Sequence, residues 1–206
     1  MGINAAIQKI RPYPDRLSLK KEIITSVCVM ALGAVMGAVA KMTDSVSLIG
    51  EIGTEWGVWV FAASIVAAYS RYPVTAAINT AVFFLSMLGA YYLYCDIVLG
   101  FFPQSYFLGW LIAAGLSPFA GVVVWFSRGR GTAAAVASAL PVSVLFAGGY
   151  PALYLPRLTM YITLVFGIIL LLILPKTLKQ KLAALGAAVL LAFVVAKLGL
   201  LYLLPF

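Results

Sequence analysis

Apolar residues dominate seven stretches of the chain, at 22–42, 55–69, 73–99, 106–126, 132–146, 158–174 and 182–204, and short polar, glycine- or proline-containing connections separate them. Within each stretch the apolar positions cover all sides of a helix, unlike the single stripe of a helix packed in a water-soluble core. Most of the stretches reach the roughly 20 residues needed to cross the hydrocarbon of a bilayer. The pattern predicts an all-α fold: a polytopic transmembrane helical bundle of seven helices. Because the fifth stretch is short and the seventh lacks a polar tail, six helices is the alternative.

Local signals refine the outline. Residues 1–21 form a cytoplasmic N-terminal segment, and residues 22–206 a single transmembrane helical domain. Residues 3–10 suit an amphipathic helix lying on the membrane surface, ended by Pro12 and Pro14. The connection at 43–54 reads as an outer loop with room for a short helical turn. Pro73 fits the first turn of the third span, where its missing N–H has no partner to lose. Pro118 and Pro141 interrupt the fourth and fifth spans, which predicts kinks. Such breaks either border a cavity or mark plain packing irregularity, and neighbouring Ser117 and Ser138 are placed to satisfy freed carbonyls. Asn79 lies in an otherwise apolar half-span, where an amide hydrogen-bonds a neighbouring helix.

Composition fixes the solvent: the chain is 64% hydrophobic and 10% charged, with a mean hydropathy of +1.09, more apolar surface than a water-soluble core can hide. The net charge of +8 would suggest nucleic acid in a soluble protein. Here Lys9, Arg11, Arg16, Lys20, Lys21, Arg71, Arg128, Arg130, Lys176, Lys179 and Lys181 all fall on one side of the threading, and only Lys41, Arg157 and Lys197 do not. That is the positive-inside bias; it excludes the nucleic-acid reading and puts the N-terminus in the cytoplasm and the C-terminus outside. On this view Arg128 and Arg130 are topology anchors rather than phosphate ligands. Residues 1–21 lack the apolar core and cleavage site of a signal peptide. Cys28 and Cys95 belong near opposite faces, too far apart for a disulfide.

No histidine occurs, which removes histidine-based zinc sites and Ser-His catalysis. No nucleophile elbow, paired-carboxylate motif or metal-ligand spacing is present, so the expectation is a non-enzyme with no catalytic residue, no metal and no cofactor. Acids and aromatics concentrate instead at the outer ends of the second and third spans. Glu51 and Glu55 share a helix face with Trp59, next to Trp56, and Tyr92 shares one with Asp96. Carboxylates beside aromatic faces suit a small, possibly cationic solute; the plainer alternative is an aromatic interfacial belt with solvated acids. Lys197, well inside the last span, needs a counter-charge or water; a pair with Asp96 or Glu55 would supply it, and snorkelling to the interface is the alternative. These residues, Glu51, Glu55, Trp56, Trp59, Tyr92, Asp96 and Lys197, form the candidate ligand site. Gly33, Ala34, Gly37 and Ala38 give the first span a small-residue face, for ordinary bundle packing or for a membrane protein partner.

The segments GAVAKMTDS, GVWVFAASIVAAYSRYPVTAAINTAVFFLSMLGAYYLY, YFLGW, LSPFAG and WFSRGRG resemble an uncharacterised family of small bacterial polytopic membrane proteins. The resemblance implies a multi-pass protein of the bacterial cytoplasmic (inner) membrane. In size the chain is also similar to the substrate-binding membrane subunits of energy-coupling-factor transporters, which have six helices and meet a transmembrane partner through small residues of the first helix. Gly33, Ala34, Gly37 and Ala38 are the matching positions; seven helices with an external C-terminus depart from that pattern. Together these readings point to a solute-binding or transporting membrane subunit. The alternative is a non-transporting membrane factor for immunity, assembly or partner binding.

Overall fold

The computed structural model describes residues 3–14, 18–44 and 46–199. Nine α-helices occur among them: α1 (Ile3–Ile10), α2 (Leu19–Met42), α3 (Ser47–Thr54), α4 (Trp56–Tyr69), α5 (Pro73–Leu99), α6 (Gln104–Phe126), α7 (Gly131–Gly149), α8 (Leu158–Ile173) and α9 (Leu178–Lys197), with a 3₁₀ turn at Tyr150–Leu153. The described fold is all-helical. Five helices, α2, α5, α6, α7 continued through the 3₁₀ turn, and α9, are long and apolar enough to cross a membrane; α4 and α8 are shorter apolar helices of 14 and 16 residues. At 1.5 Å per residue α4 is about 21 Å long, short of a ~30 Å hydrocarbon core.

Every expected apolar stretch is a helix, and the differences lie at the ends. The outer connection contains the helix α3. The basic linker before the last stretch is already helical, because Thr177 and Gln180 form a capping box: the Gln180 N–H donates to Thr177 Oγ1 at 3.2 Å and the Thr177 N–H to Gln180 Oε1 at 3.2 Å. The expected end of that stretch at 204, and Arg16, lie outside the described residues.

Helix α4 is the axle. Its Trp59 and Ala63 join a core with Val29 of α2, Phe83, Met87 and Leu88 of α5 and Ala114 of α6. One turn further on, Ala67 and Ala68 join a second core with Val142 and Leu145 of α7, Leu170 of α8 and Ala188 of α9. Small residues on α4 let α5, α6, α7 and α8 pack against it. The outward faces carry large apolar side chains such as Ile23, Val27, Ile112, Phe119, Leu190 and Phe193, all exposed. A water-soluble monomer does not display such a belt, and a bilayer covers it.

The small-residue face of α2 is spent inside the chain. A Cβ added at Gly33 would lie 2.4 Å from Phe83 O, and one at Gly37 2.1 Å from Met87 O, so α5 occupies the groove that a partner helix would need. Of the neighbouring positions, Ala34 and Ala38 are half-buried. Asn79, fully buried on α5, accepts from Ser26 Oγ of α2 at 2.6 Å and donates to Ser70 Oγ at the end of α4 at 3.1 Å, so one amide ties three helices together. Pro118 removes the N–H that would bond Ala114 O, and Ser117 Oγ donates to that carbonyl instead at 2.7 Å.

Candidate functional site

The bundle has two ends. Lys41, Gly53, Trp56, Cys95, Phe101 and Pro103 mark one, and Arg11, Ser70, Trp125, Arg128 and Lys176 the other. At the first end, Lys41 Nζ pairs with Asp44 Oδ2 at 2.6 Å and lies 5.3 Å from the ring centroid of Tyr91. It borders a vestibule of about 330 Å³ shared with Trp59, Tyr91, Tyr92, Cys95 and Trp110. Helix α3 holds this rim: its Gly53 carbonyl accepts Trp59 Nε1–H at 3.0 Å, which fixes the indole across the bundle. Tyr92 is buried, with its ring centroid 5.1 Å from Phe107 and 5.7 Å from Phe102.

Below the vestibule lies a chamber of about 470 Å³ lined by α4, α5, α6 and α7 and open on the side of the exposed Leu116, Ala120, Val123 and Leu140. Trp59 and Trp110 line both spaces and meet edge to face, with centroids 5.3 Å apart, so this pair is the partition between them. The chamber wall is apolar, with Trp56, Phe84, Leu116 and Val144, and its floor is Ala67 and Val124. Pro141 and the Ser117 beside Pro118 both line it, so the two proline breaks border a cavity. Its hydroxyls are committed within their own helices: Ser64 Oγ donates to Val60 O at 2.7 Å, Thr80 Oγ1 to Ala76 O at 2.7 Å and Ser117 Oγ to Ala114 O.

The candidate site residues therefore separate. Trp59 and Tyr92 meet at the vestibule, and Trp56 joins Trp59 in the chamber, where its ring also fills the space over Gly148 of α7. Glu55 is half-buried on the opposite side of α4, accepting from Thr163 Oγ1 of α8 at 3.4 Å. Glu51 and Asp96 are exposed. The buried stripe of α5 runs Leu88, Tyr92, Cys95, spaced by four and then three residues, which leaves Asp96 outside it. Lys197 is exposed on α9, 5.7 Å from the Phe193 ring centroid, in a separate apolar groove with Phe146 and Tyr150. The expected Asp96–Lys197 pair is not formed: among the described residues the only ion pair is Lys41–Asp44. Nor do the described residues bring together three side chains that could hold a metal ion.

Sequence reasoning missed Lys41 and Trp110 as cavity residues. The tryptophan in YFLGW lies about two turns into α6 and meets Trp59, one turn into α4, only once the two helices are packed, and no spacing rule within one helix reports that.

The second end is closed. Trp125, fully buried, donates from Nε1 to Ser70 O at 3.0 Å, and the Arg11 guanidinium lies 4.3 Å from the Trp125 ring centroid while donating to Trp125 O and to Ser70 O. Tyr13 packs edge to face on both Tyr72 and Trp125. Arg128 Nη1 donates to Tyr69 Oη and to Ile173 O, each at 3.0 Å. Burial and then the charge of Arg128 depress the pKa of Arg11 to about 10.

Residues 16–204 match the model of DUF6518, a family of unknown function, and the chain belongs to that family. No curated protein and no solved structure matches it.

Proposed function

We propose that this protein is a solute-binding or transporting membrane protein whose ligand occupies the chamber beneath Trp59 and Trp110, and that the ligand is a small molecule with an apolar body. The observation that carries the reading is the stacking of two cavities along one axis with a single aromatic pair between them. A vestibule, an aromatic partition and an apolar chamber beyond it are the parts of a site for an apolar solute. The chamber selects against charge: its wall is apolar and its hydroxyls are already satisfied, so an ionised group entering it would lose hydration with little return. A polar group on the ligand fits better at the vestibule, where Lys41 already occupies the face of Tyr91 and would repel a cation. The same commitments argue against catalysis, because no chamber hydroxyl is free to be activated by a base. The α2 glycine face, used up by α5, gives the partner-binding alternative no support.

The proposed topology is seven spans with the N-terminus and the Arg11 end in the cytoplasm, from the one-sided basic residues. α4 and α8 are then short spans; α4 is shielded from lipid by its neighbours, whereas α8 keeps an exposed apolar face with Val165, Ile168 and Leu172. Reporter fusions after Lys197 test it, with an external location expected.

The binding test is a thermal-stabilisation screen of the full chain, purified in mild detergent, against small apolar and amphipathic compounds, repeated on Ala113→Phe. Ala113 lines the chamber, so the larger side chain fills it. Compounds are expected to raise the melting temperature of the parent and to lose that effect in the filled variant. No stabilising compound, or equal stabilisation of both proteins, would overturn the reading.

A further inference from the structure

Tertiary structure gathers basic groups from three connections at the closed end. Arg11 follows α1, Arg128 and Arg130 lie in the α6–α7 turn, and Lys176 in the α8–α9 turn. Arg11 and Arg128 are pinned to adjacent residues, donating to Ser70 O and Tyr69 Oη. The α6–α7 turn is tied to the other two segments: the Arg130 N–H donates to Ile10 O at 2.8 Å, and Gln180 Nε2 donates to Gly131 O at 3.4 Å. Every acceptor these guanidiniums reach is neutral. Arg128 uses only Nη1, which leaves Nε and Nη2, two neighbouring faces of a charged fork, without an acceptor among the described residues. None of these four cations forms an ion pair with a described carboxylate, and buried Glu22 lines a different groove, beside Tyr13 and Tyr72. Burial and then the charges of Arg128, Arg11 and Arg130 lower the pKa of Lys176, so the four groups repel one another where they stand.

A positive-inside bias accounts for basic residues in these turns but not for their convergence, since exposed charges that only set topology stay apart at no cost. We infer that Arg128, Arg130 and Lys176, backed by Arg11, bind a phosphate-bearing anion at this end of the bundle, either the headgroup of an anionic phospholipid or the free ion. The open Nε/Nη2 edge of Arg128 matches two phosphate oxygens bidentately, and Arg130 and Lys176, both exposed, add positive charge at the same end. The site stands at the level where spans end, where lipid phosphates lie.

The test uses the full chain in mild detergent, titrated separately with phosphatidylglycerol, phosphatidylcholine and inorganic phosphate while the melting temperature is followed. The variant Arg130→Gln/Lys176→Gln removes two cations whose side chains make no hydrogen bond in the structure, so folding is spared. Lys20→Gln/Lys179→Gln, at two exposed positions, is the charge-matched control. Phosphatidylglycerol is expected to raise the melting temperature where phosphatidylcholine does not, with the apparent affinity about tenfold or more weaker in the first variant and unchanged in the control. A response to inorganic phosphate with the same variant pattern identifies the free ion as ligand, and its absence identifies the lipid headgroup. No response to either anion, a wild-type response in Arg130→Gln/Lys176→Gln, or an equal loss in the control would overturn the inference.

Discussion

Trp59 of α4 and Trp110 of α6 meet edge to face at 5.3 Å, and each contributes a wall to both cavities of the bundle. Trp59 is held by the Gly53 carbonyl. Trp110→Ala should join vestibule and chamber and lower stability by about 3 kcal/mol. A cysteine placed in the chamber (Ala113→Cys, with Cys28→Ser and Cys95→Ala) should react faster with a membrane-impermeant thiol reagent when Trp110 is alanine than when it is retained. Equal rates would mean that the pair is not the partition.

Gly37→Ala tests the α2–α5 seam. The new Cβ would meet backbone, 2.1 Å from Met87 O and 2.9 Å from Met87 C, so the helices must part. A loss of about 1–3 kcal/mol in detergent unfolding is expected. Gly89→Ala, with nothing within 4 Å of its Cβ, should be neutral or slightly stabilising.

Asn79→Ala should cost about 1 kcal/mol, the usual worth of an interhelical hydrogen bond in a membrane protein. It removes the acceptor of Ser26 Oγ and a donor to Ser70 Oγ together. Ser26→Ala in the Asn79→Ala background should then cost less than in the parent, and a double-mutant cycle measures that coupling.

Asp96→Asn and Lys197→Met should behave as independent changes. Both side chains are exposed and neither is in an ion pair among the described residues, so the coupling in their double mutant is expected to stay below about 0.5 kcal/mol. A larger coupling would require a packing of α5 and α9 different from the one described.

The sequence by itself determined the helices and the solvent. Stretches of uniform apolarity define helices whose backbone groups are satisfied internally, and a bilayer demands that of every spanning segment, so seven helical stretches were legible and only their ends moved. Asn79 was legible for the same reason: a lone amide in an apolar span must find a partner on another helix. The candidate site was legible only in part, through Trp56, Trp59 and Tyr92. Which acids would join them was not, because Glu51, Glu55 and Asp96 project at angles set by how α4 and α5 roll against their neighbours. One position of rotation separates buried Cys95 from exposed Asp96. Tertiary structure alone decided that α5 fills the glycine groove of α2, that Trp110 closes on Trp59, and that basic residues 117 or more positions apart, Arg11 and Arg128, are pinned to the same end of α4. Each is a contact between helices distant in sequence, and helical periodicity says which faces are apolar but not which face meets which.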